Sequence, residues 1–422
     1  MYQKTTLDNG VRILTEEIPH VRSVSMGIWV NVGSRDETDE NSGISHFIEH
    51  MMFKGTKKRT PKNIAEELDA VGGQLNAFTT KEYTCYHAKV LDEHFPLAVD
   101  ILSDMLFNSN FSQNDMERER NVILEEIKMY EDTPDELVHD LFAETIWHGH
   151  PLGRPIIGTD ETVNALTRED LLSFYRQQYT PSKIIVSLAG NIKHEQAVKT
   201  LTPVFGALKA EEKSRQGTSP VGVSDLTCYN KDTEQVHMVI GAPGYPMGHD
   251  DIYTAQIINT VLGGGLSSRL FQEIREKRGL VYSVYSYHSS YNDAGIFAIY
   301  AGLSKQNVKQ AMELIFKEIK DIEEKGITES ELQRSKDQLK GNLLLSLENV
   351  NSRMSRLGKS EMYLGKVLKP EEIVEKVYKV SNEDIQRVAK SMFKPQKFSM
   401  ATIGPWQDSS EIETAFNNFK HL

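Results

Sequence analysis

Cysteine is nearly missing from the sequence: Cys85 and Cys228 are the only two among 422 residues. They form no CxxC pair, which argues against a thiolate zinc site. One disulfide is arithmetically open, but two scattered cysteines in a chain this long read as free thiols of a reducing compartment. No run of 18 apolar residues occurs, so no membrane-spanning helix is expected. The opening MYQKTTLDNGVRILTEEIP lacks a basic stretch followed by an apolar one. No secretory signal is therefore expected, and the cytoplasm is the default compartment, although a mature organellar protein would read the same. A basic excess is missing too. Lys and Arg total 48 against 60 Asp and Glu, a net charge of -12. That balance argues against non-specific nucleic-acid binding. The segment Gly263-Gly264-Gly265-Leu266-Ser267-Ser268 lacks the Lys-Ser/Thr of a phosphate loop, so no nucleotide site is expected there.

What is present suits a soluble globular chain. Hydrophobic residues make up 39% and charged residues 26%. The length exceeds one ordinary core and predicts two or three domains. Strands are expected after the Asp8-Asn9-Gly10 turn, over Ser23–Val30, and over Glu82–Val90. Helices are expected from Gly43, over Lys62–Val71 up to Gly72-Gly73, and over His94–Leu106 and Gln113–Tyr130. Residues 207–225, polar and without periodicity, read as a linker.

The two halves repeat. Thr167-Arg168-Glu169-Asp170-Leu171, Tyr179-Thr180-Pro181-Ser182-Lys183 and Leu188-Ala189-Gly190 recur as Ser381-Asn382-Glu383-Asp384-Ile385, Phe393-Lys394-Pro395-Gln396-Lys397 and Thr402-Ile403-Gly404. The offset is 214 residues throughout, about half the chain. Each copy reads as a capped helix with an acidic first turn, a proline break, and an apolar strand ending in glycine. A match at half the chain length indicates duplication. The expected fold is α+β: two homologous domains, 1–206 and 226–422, each a mainly antiparallel sheet with packed helices.

Chemistry concentrates in His46-Phe47-Ile48-Glu49-His50. On a helix, residues four apart face the same way, so His46 and His50 can share one metal ion. Glu49 then reaches a water beside that metal without being a ligand. This is the inverted H-x-x-E-H order of metallopeptidases. The pentapeptide alone fits equally well a helix with two surface or core histidines. A third ligand is sought in Gln113–Tyr130, where Glu119, Val122, Ile123, Glu126, Ile127 and Tyr130 form one stripe at helical spacing. Arg118, Asn121, Glu125 and Lys128 form the polar stripe. A buried carboxylate needs a cation or a metal, which makes Glu126 the ligand candidate and Glu119 a supporting carboxylate that orients a histidine. The alternative is a helix edge from which both carboxylates reach water.

His46-Phe47-Ile48-Glu49-His50 with Glu126 following 76 residues after His50 resembles the pitrilysin (insulinase) family of inverzincins, and the length resembles bacterial relatives of the mitochondrial processing peptidase. The likeness spans essentially the whole chain. Gly72-Gly73-Gln74-Leu75-Asn76-Ala77-Phe78-Thr79 is similar to the family's substrate-accepting edge strand, and His150-Pro151-Leu152-Gly153-Arg154-Pro155 with Ile157-Gly158-Thr159 to another family motif. The resemblance implies one zinc per chain on His46, His50 and Glu126, with Glu49 as general base and Glu119 as auxiliary. It implies a peptide paired along Asn76, Ala77 and Phe78, although a plain core strand would read alike. Arg275 and Tyr282, in an R-x-K-x-G-L-x-Y context, resemble the pair that this family brings to the site to hold substrate and developing oxyanion charge. Opposite Glu119 and Glu126 the second half carries Ser335 and Asn342, so it keeps the fold without the metal site. Because family members enclose the site in a chamber of four such domains, a homodimer is implied. The expected activity is zinc-dependent hydrolysis of unfolded or presequence-like peptides. A non-catalytic scaffold or partner subunit of the same fold is the alternative.

Overall fold

The computed structural model describes residues 2–209, 215 and 217–420, so the expected linker at 207–225 lies partly outside the described residues. One sheet contains β1 (Tyr2–Thr6), β2 (Arg12–Glu17), β3 (Ser23–Val30), β4 (Gln74–Thr79), β5 (Thr84–Leu91) and β6 (Ile184–Gly190), in the order β1-β2-β6-β3-β5-β4. The other contains β7 (Leu226–Asn230), β8 (Val236–Gly244), β9 (Val281–Ser290), β10 (Gly295–Leu303) and β11 (Ser399–Gly404), in the order β7-β11-β8-β10-β9. Every pairing is antiparallel except β2 with β6 and β7 with β11, which occupy the same place in the two sheets. The α+β reading therefore holds, with one parallel pair per sheet.

The repeat is visible atom by atom. Thr167 Oγ1 accepts the Asp170 N–H, and Ser381 Oγ accepts the Asp384 N–H, each at 3.2 Å. The helices they cap, Arg168–Gln178 and Asn382–Met392, lead through Pro181 and Pro395 into β6 and β11. A further correspondence escapes the sequence reading. Buried Arg120 donates to the Asn164 carbonyl at 3.3 Å, and buried Lys336 donates to the Tyr378 carbonyl at 3.0 Å. The two acceptors are again 214 residues apart.

Compaction does not follow a cut at the linker. One unit gathers the chain up to Lys128, Arg154–Gly217 and Leu344–Leu368; the other gathers Met129–Gly153, Thr218–Leu343 and Lys369 onward. The helix Pro134–Ile146 thus packs with the second sheet, and the helix Val350–Leu364 with the first. The reason lies in the strands, which are apolar on both faces and need cover on both. In β3, Val24, Met26, Ile28 and Val30 enter one core with Phe47, Leu102 and Ile123. Trp29 enters another with Leu14, Cys85, Ile185, Met354 and Leu357. In β8, Met238, Ile240 and Ala242 face one core, and Val239 packs with Val138, Phe142 and Trp147 on the other.

The helix Val350–Leu364 lies very close to its sheet. Trp29 Nε1 donates to Ser187 Oγ at 2.8 Å, which donates to the Met354 carbonyl at 2.9 Å. A Cβ on Gly358 would stand 2.3 Å from Trp29 Nε1, and one on Gly27 would stand 2.4 Å from Met354 Sδ. Both cysteines are free, as expected. Among the described residues, no helix is long and apolar enough to cross a membrane.

Candidate metal centre

The helix carrying His46 and His50 spans Ile44–Met52 and starts at Gly43, whose φ of 92° is open to glycine at little cost. A side chain there would also collide with the chain beside it: a Cβ on Gly43 would lie 2.7 Å from the Ile157 carbonyl, and one on Gly158 would lie 2.5 Å from the Ser42 carbonyl. The two glycines pack against each other, which accounts for Ile157-Gly158-Thr159 as a motif. The first turn is capped from a distance. Glu37 accepts the N–H groups of Gly43 and Ser45, both at 2.8 Å. Burial pushes its carboxyl up to about 7 even though these bonds favour the anion. Phe47, Ile48, Met51 and Met52 anchor the helix in the core.

The helix Gln113–Glu131 brings up the carboxylates. Its buried stripe is Met116, Glu119, Arg120, Ile123 and Ile127. The expected stripe was one position off at Val122, which is 49% exposed. Arg120 takes the inner place because its guanidinium reaches the carbonyls of Val163 and Leu166 and lies over the Phe47 ring. Glu119 is buried and Glu126 half-buried, while Glu125 faces water.

His46, His50 and Glu126 converge, with one ligand atom from each within 4.8 Å of the others. Glu126 Oε2 lies 3.8 Å from His46 Nε2 and 3.7 Å from His50 Nε2. These separations are too long for hydrogen bonds and suit a small cation with bonds of ~2 Å. Burial, and then the neighbouring His50, push the His46 imidazole down to about 3, so it stays neutral with its lone pair free. Its Nδ1 is buried without a hydrogen-bond partner, so nothing on that side fixes the ring. The His50 Nδ1 instead meets Glu119 Oε2 at 3.1 Å, and Lys54 Nζ holds Glu119 Oε1 at 2.7 Å. Burial alone would raise the Glu119 carboxyl; the bonds from His50 and Lys54 outweigh it and keep it low. Two imidazoles and one carboxylate, with a carboxylate behind one imidazole, fit zinc by donor type and spacing. Among the described residues no second such group occurs, and buried Ser335 lies in the second half where a carboxylate would be needed.

Two expectations follow. Glu119→Gln removes the anion behind His50 and is expected to weaken zinc binding about 10- to 100-fold, measured by competition with a chromophoric chelator. In metal-free protein His46 also makes stability depend on pH. The unfolded imidazole takes a proton near 6.5 and the folded one only near 3. Its contribution is full above the unfolded value and is lost as pH falls toward the folded one. Chelated protein should therefore lose Tm between pH 7 and 5, and His46→Gln should flatten that slope.

Glu49 is held from the sheet: Thr79 Oγ1 donates to its Oε2 at 2.5 Å. Burial raises the Glu49 carboxyl, Thr79 and His50 pull it down, and Glu126 adds to the rise; the net shift is upward. Thr79 ends β4, the edge strand of its sheet, which among the described residues pairs only with β5. The Ala77 N–H donates to Asn76 Oδ1 at 2.8 Å. Phe78 turns the other way, its ring edge-on to Trp29 and Tyr83 at 6.0 and 6.1 Å, so its half-buried side chain packs against the core around Trp29. In the second unit Arg275 lies in the last turn of a short π-helical segment, Phe271–Glu276, closed by Gly279 at φ 61°. Its guanidinium lies over the Phe271 ring at 4.8 Å and the Tyr282 ring at 5.9 Å, and Tyr282 is 74% exposed.

Sequence reasoning assigned no part to Lys54, Thr79 or Glu37. Lys54 lies just past the helix end at Met52, where helical spacing no longer fixes its direction, so it gave no clear signal. Thr79 closes the edge-strand motif. Glu37 had none, because its cap is made through a loop.

Comparison with known proteins gives the family. Residues 12–160 match the model of insulinase, peptidase family M16, and residues 165–339 match that of the peptidase M16 inactive domain. An uncharacterized zinc protease of Bacillus subtilis, YmxG, is 46% identical over 96% of this chain and 98% of that protein. One from Streptomyces coelicolor is 43% identical over 96% of this chain and 90% of that protein. A protease from Helicobacter pylori shares the fold at TM-score 0.91 and 21% identity, covering 96% of this chain and 99% of that one. The fold is also shared at TM-score 0.90 by a peptidase M16 inactive domain from Pseudomonas fluorescens, 19% identical, covering 96% of this chain and 98% of that one. The chain belongs to the pitrilysin/insulinase family of metallopeptidases, family M16.

Proposed function

We propose that this chain is a zinc-dependent endopeptidase. The observation that carries the reading is the convergence of His46, His50 and Glu126, with Glu49 held beside them by Thr79. His46, His50 and Glu126 would hold a zinc ion, which would supply polarisation of the scissile carbonyl and a more acidic water. Glu49 takes the water proton and passes it to the leaving nitrogen. Thr79 fixes one Glu49 oxygen and leaves the other for that transfer. Glu119 holds the His50 ring in one tautomer through Nδ1. The substrate is an extended peptide that adds to the free edge of β4, where Asn76 releases the Ala77 N–H to a substrate carbonyl. Arg275 and Tyr282 supply donors for the substrate and for developing negative charge.

The reading extends to one zinc per chain, a homodimeric chamber, a cytoplasmic setting, and unfolded or presequence-like substrates. The M16 family and the relatives described as zinc proteases support the metal and the reaction. The scaffold alternative draws on the inactive-domain match, which begins at residue 165 and so leaves the metal-centre residues outside it.

The test is cleavage of an unstructured basic peptide by wild type and Glu49→Gln, with zinc quantified in both. The variant should keep its zinc and lose about 10²- to 10⁴-fold in rate. Wild type that holds no zinc and cuts no peptide would establish the scaffold reading.

A further inference from the structure

Arg215 comes from the segment that joins the two halves of the sequence, and its side chain, 16% exposed, reaches into the metal-binding unit. Its Nε and Nη2 grip Asp36 Oδ1 and Oδ2 at 2.9 and 2.8 Å. Nη1 lies 3.3 Å from Glu82 Oε1, and Nη2 donates to the Glu82 carbonyl at 2.5 Å. Arg35 donates to the same Glu82 oxygen at 2.8 Å. The carboxylates are only 5% and 1% exposed, so the two guanidiniums balance two buried anions.

The two loops joined in this way carry the groups that set the site. Glu37, which follows Asp36, caps the metal helix through the Gly43 and Ser45 N–H groups. Thr79, three residues before Glu82, holds Glu49. Backbone bonds from Ser34 to Thr80 and from Arg35 to Lys81 already lay one loop on the other. Arg215 ties them with a side chain from outside both, as does Arg154, which donates to the Glu37 carbonyl and whose own carbonyl accepts from Lys81 Nζ.

We propose that Arg215 is a positioning residue for the metal centre, tying together the two loops that align Glu49 and the start of the metal helix. It rests on the peptidase reading above. Removing the guanidinium leaves Asp36 and Glu82 buried with a surplus negative charge, and the loops part to relieve it. Small displacements of aligned groups are costly in rate.

The test uses the full chain with Arg215→Met, which keeps the side chain's bulk without its charge, and Arg215→Lys, which keeps charge without the fork. Arg215→Met should lower kcat about tenfold, equivalent to ~1.4 kcal/mol. KM should stay within about twofold, because the peptide-pairing edge at Asn76 and Ala77 is untouched. Zinc transfer to a chelator should be severalfold faster, and Arg215→Lys should recover part of both losses. Wild-type kcat and zinc release in Arg215→Met, whatever its Tm, would overturn the proposal. If Arg215→Met does not fold, Arg215→Lys decides on the same readings: kcat severalfold below wild type supports the proposal, and equality sinks it. If wild type cuts no peptide, the peptidase reading fails, and the zinc-release comparison still decides the role of Arg215.

Discussion

Exchanging His50 for alanine is expected to strip the protein of zinc and to abolish peptide cleavage. His50 does two jobs: its Nε2 faces Glu126 across the ligand gap, and its Nδ1 meets Glu119. Its loss leaves two of three ligands and turns Glu119 toward Lys54 alone. Three protein ligands are the usual requirement of a catalytic zinc. Metal supplies several kcal/mol of transition-state stabilisation, and ~4 kcal/mol is about a thousandfold in rate. Rates should therefore fall by about a thousandfold or more, with under about a tenth of the wild-type zinc retained after dialysis, measured by atomic absorption. A His50→Ala protein that keeps full zinc and cleaves peptide would remove this histidine from the metal centre.

The second large effect is on stability. Gly358 lies within a helix, where alanine would gain about 1 kcal/mol in helix propensity. Here packing wins. The new Cβ would stand 2.3 Å from Trp29 Nε1 and 2.4 Å from Trp29 Cε2. Trp29 is fully buried and its N–H is engaged by Ser187, so the ring has nowhere to go. Overpacking of this kind costs about 1–3 kcal/mol and more when backbone must shift. The net expectation for Gly358→Ala is a cost of ~1–2 kcal/mol, which for a unit of this size is a fall in Tm of about 2–8 °C, and more for Gly358→Val. Calorimetry reads the fall, and tryptophan emission should move to longer wavelength as Trp29 meets water. An unchanged Tm would mean that the helix Val350–Leu364 does not dock against Trp29.

Much of this was legible in the residues themselves. The run Ser23–Val30 became a strand with those limits, because eight residues rich in β-branched and apolar side chains leave little else to form. The two capped helices and their strands were legible because caps, prolines and glycines act locally. His46, Glu49 and His50 were legible because helical spacing is fixed by geometry, and Glu126 because an acidic residue near an apolar stripe needs a reason. The stripe slipped at Val122 because Arg120, left out of both stripes, spends its charge on buried carbonyls. The sheets that the helices Pro134–Ile146 and Val350–Leu364 cover were not legible for another reason. Which sheet a helix covers is set by the shape of that sheet, by Gly27 and Trp29 in one case and by Val239 and Ala298 in the other. No local rule encodes that choice. Glu37 and Arg215 were invisible because their partners are brought near by loops.

The exchange of helices between sheets also governs how the chain is made. On a ribosome the first sheet could be complete by residue 190, yet the helix that covers its Trp29 face is not synthesised until residue 364. The nascent half must wait with Leu14, Trp29 and Ile185 bare for more than 150 residues of elongation, on the order of ten seconds at common synthesis rates. The last folding step of this unit therefore waits until synthesis is nearly finished. A gene cut at the midpoint yields two products that each carry the other's missing lid, so they should be recoverable together and not apart.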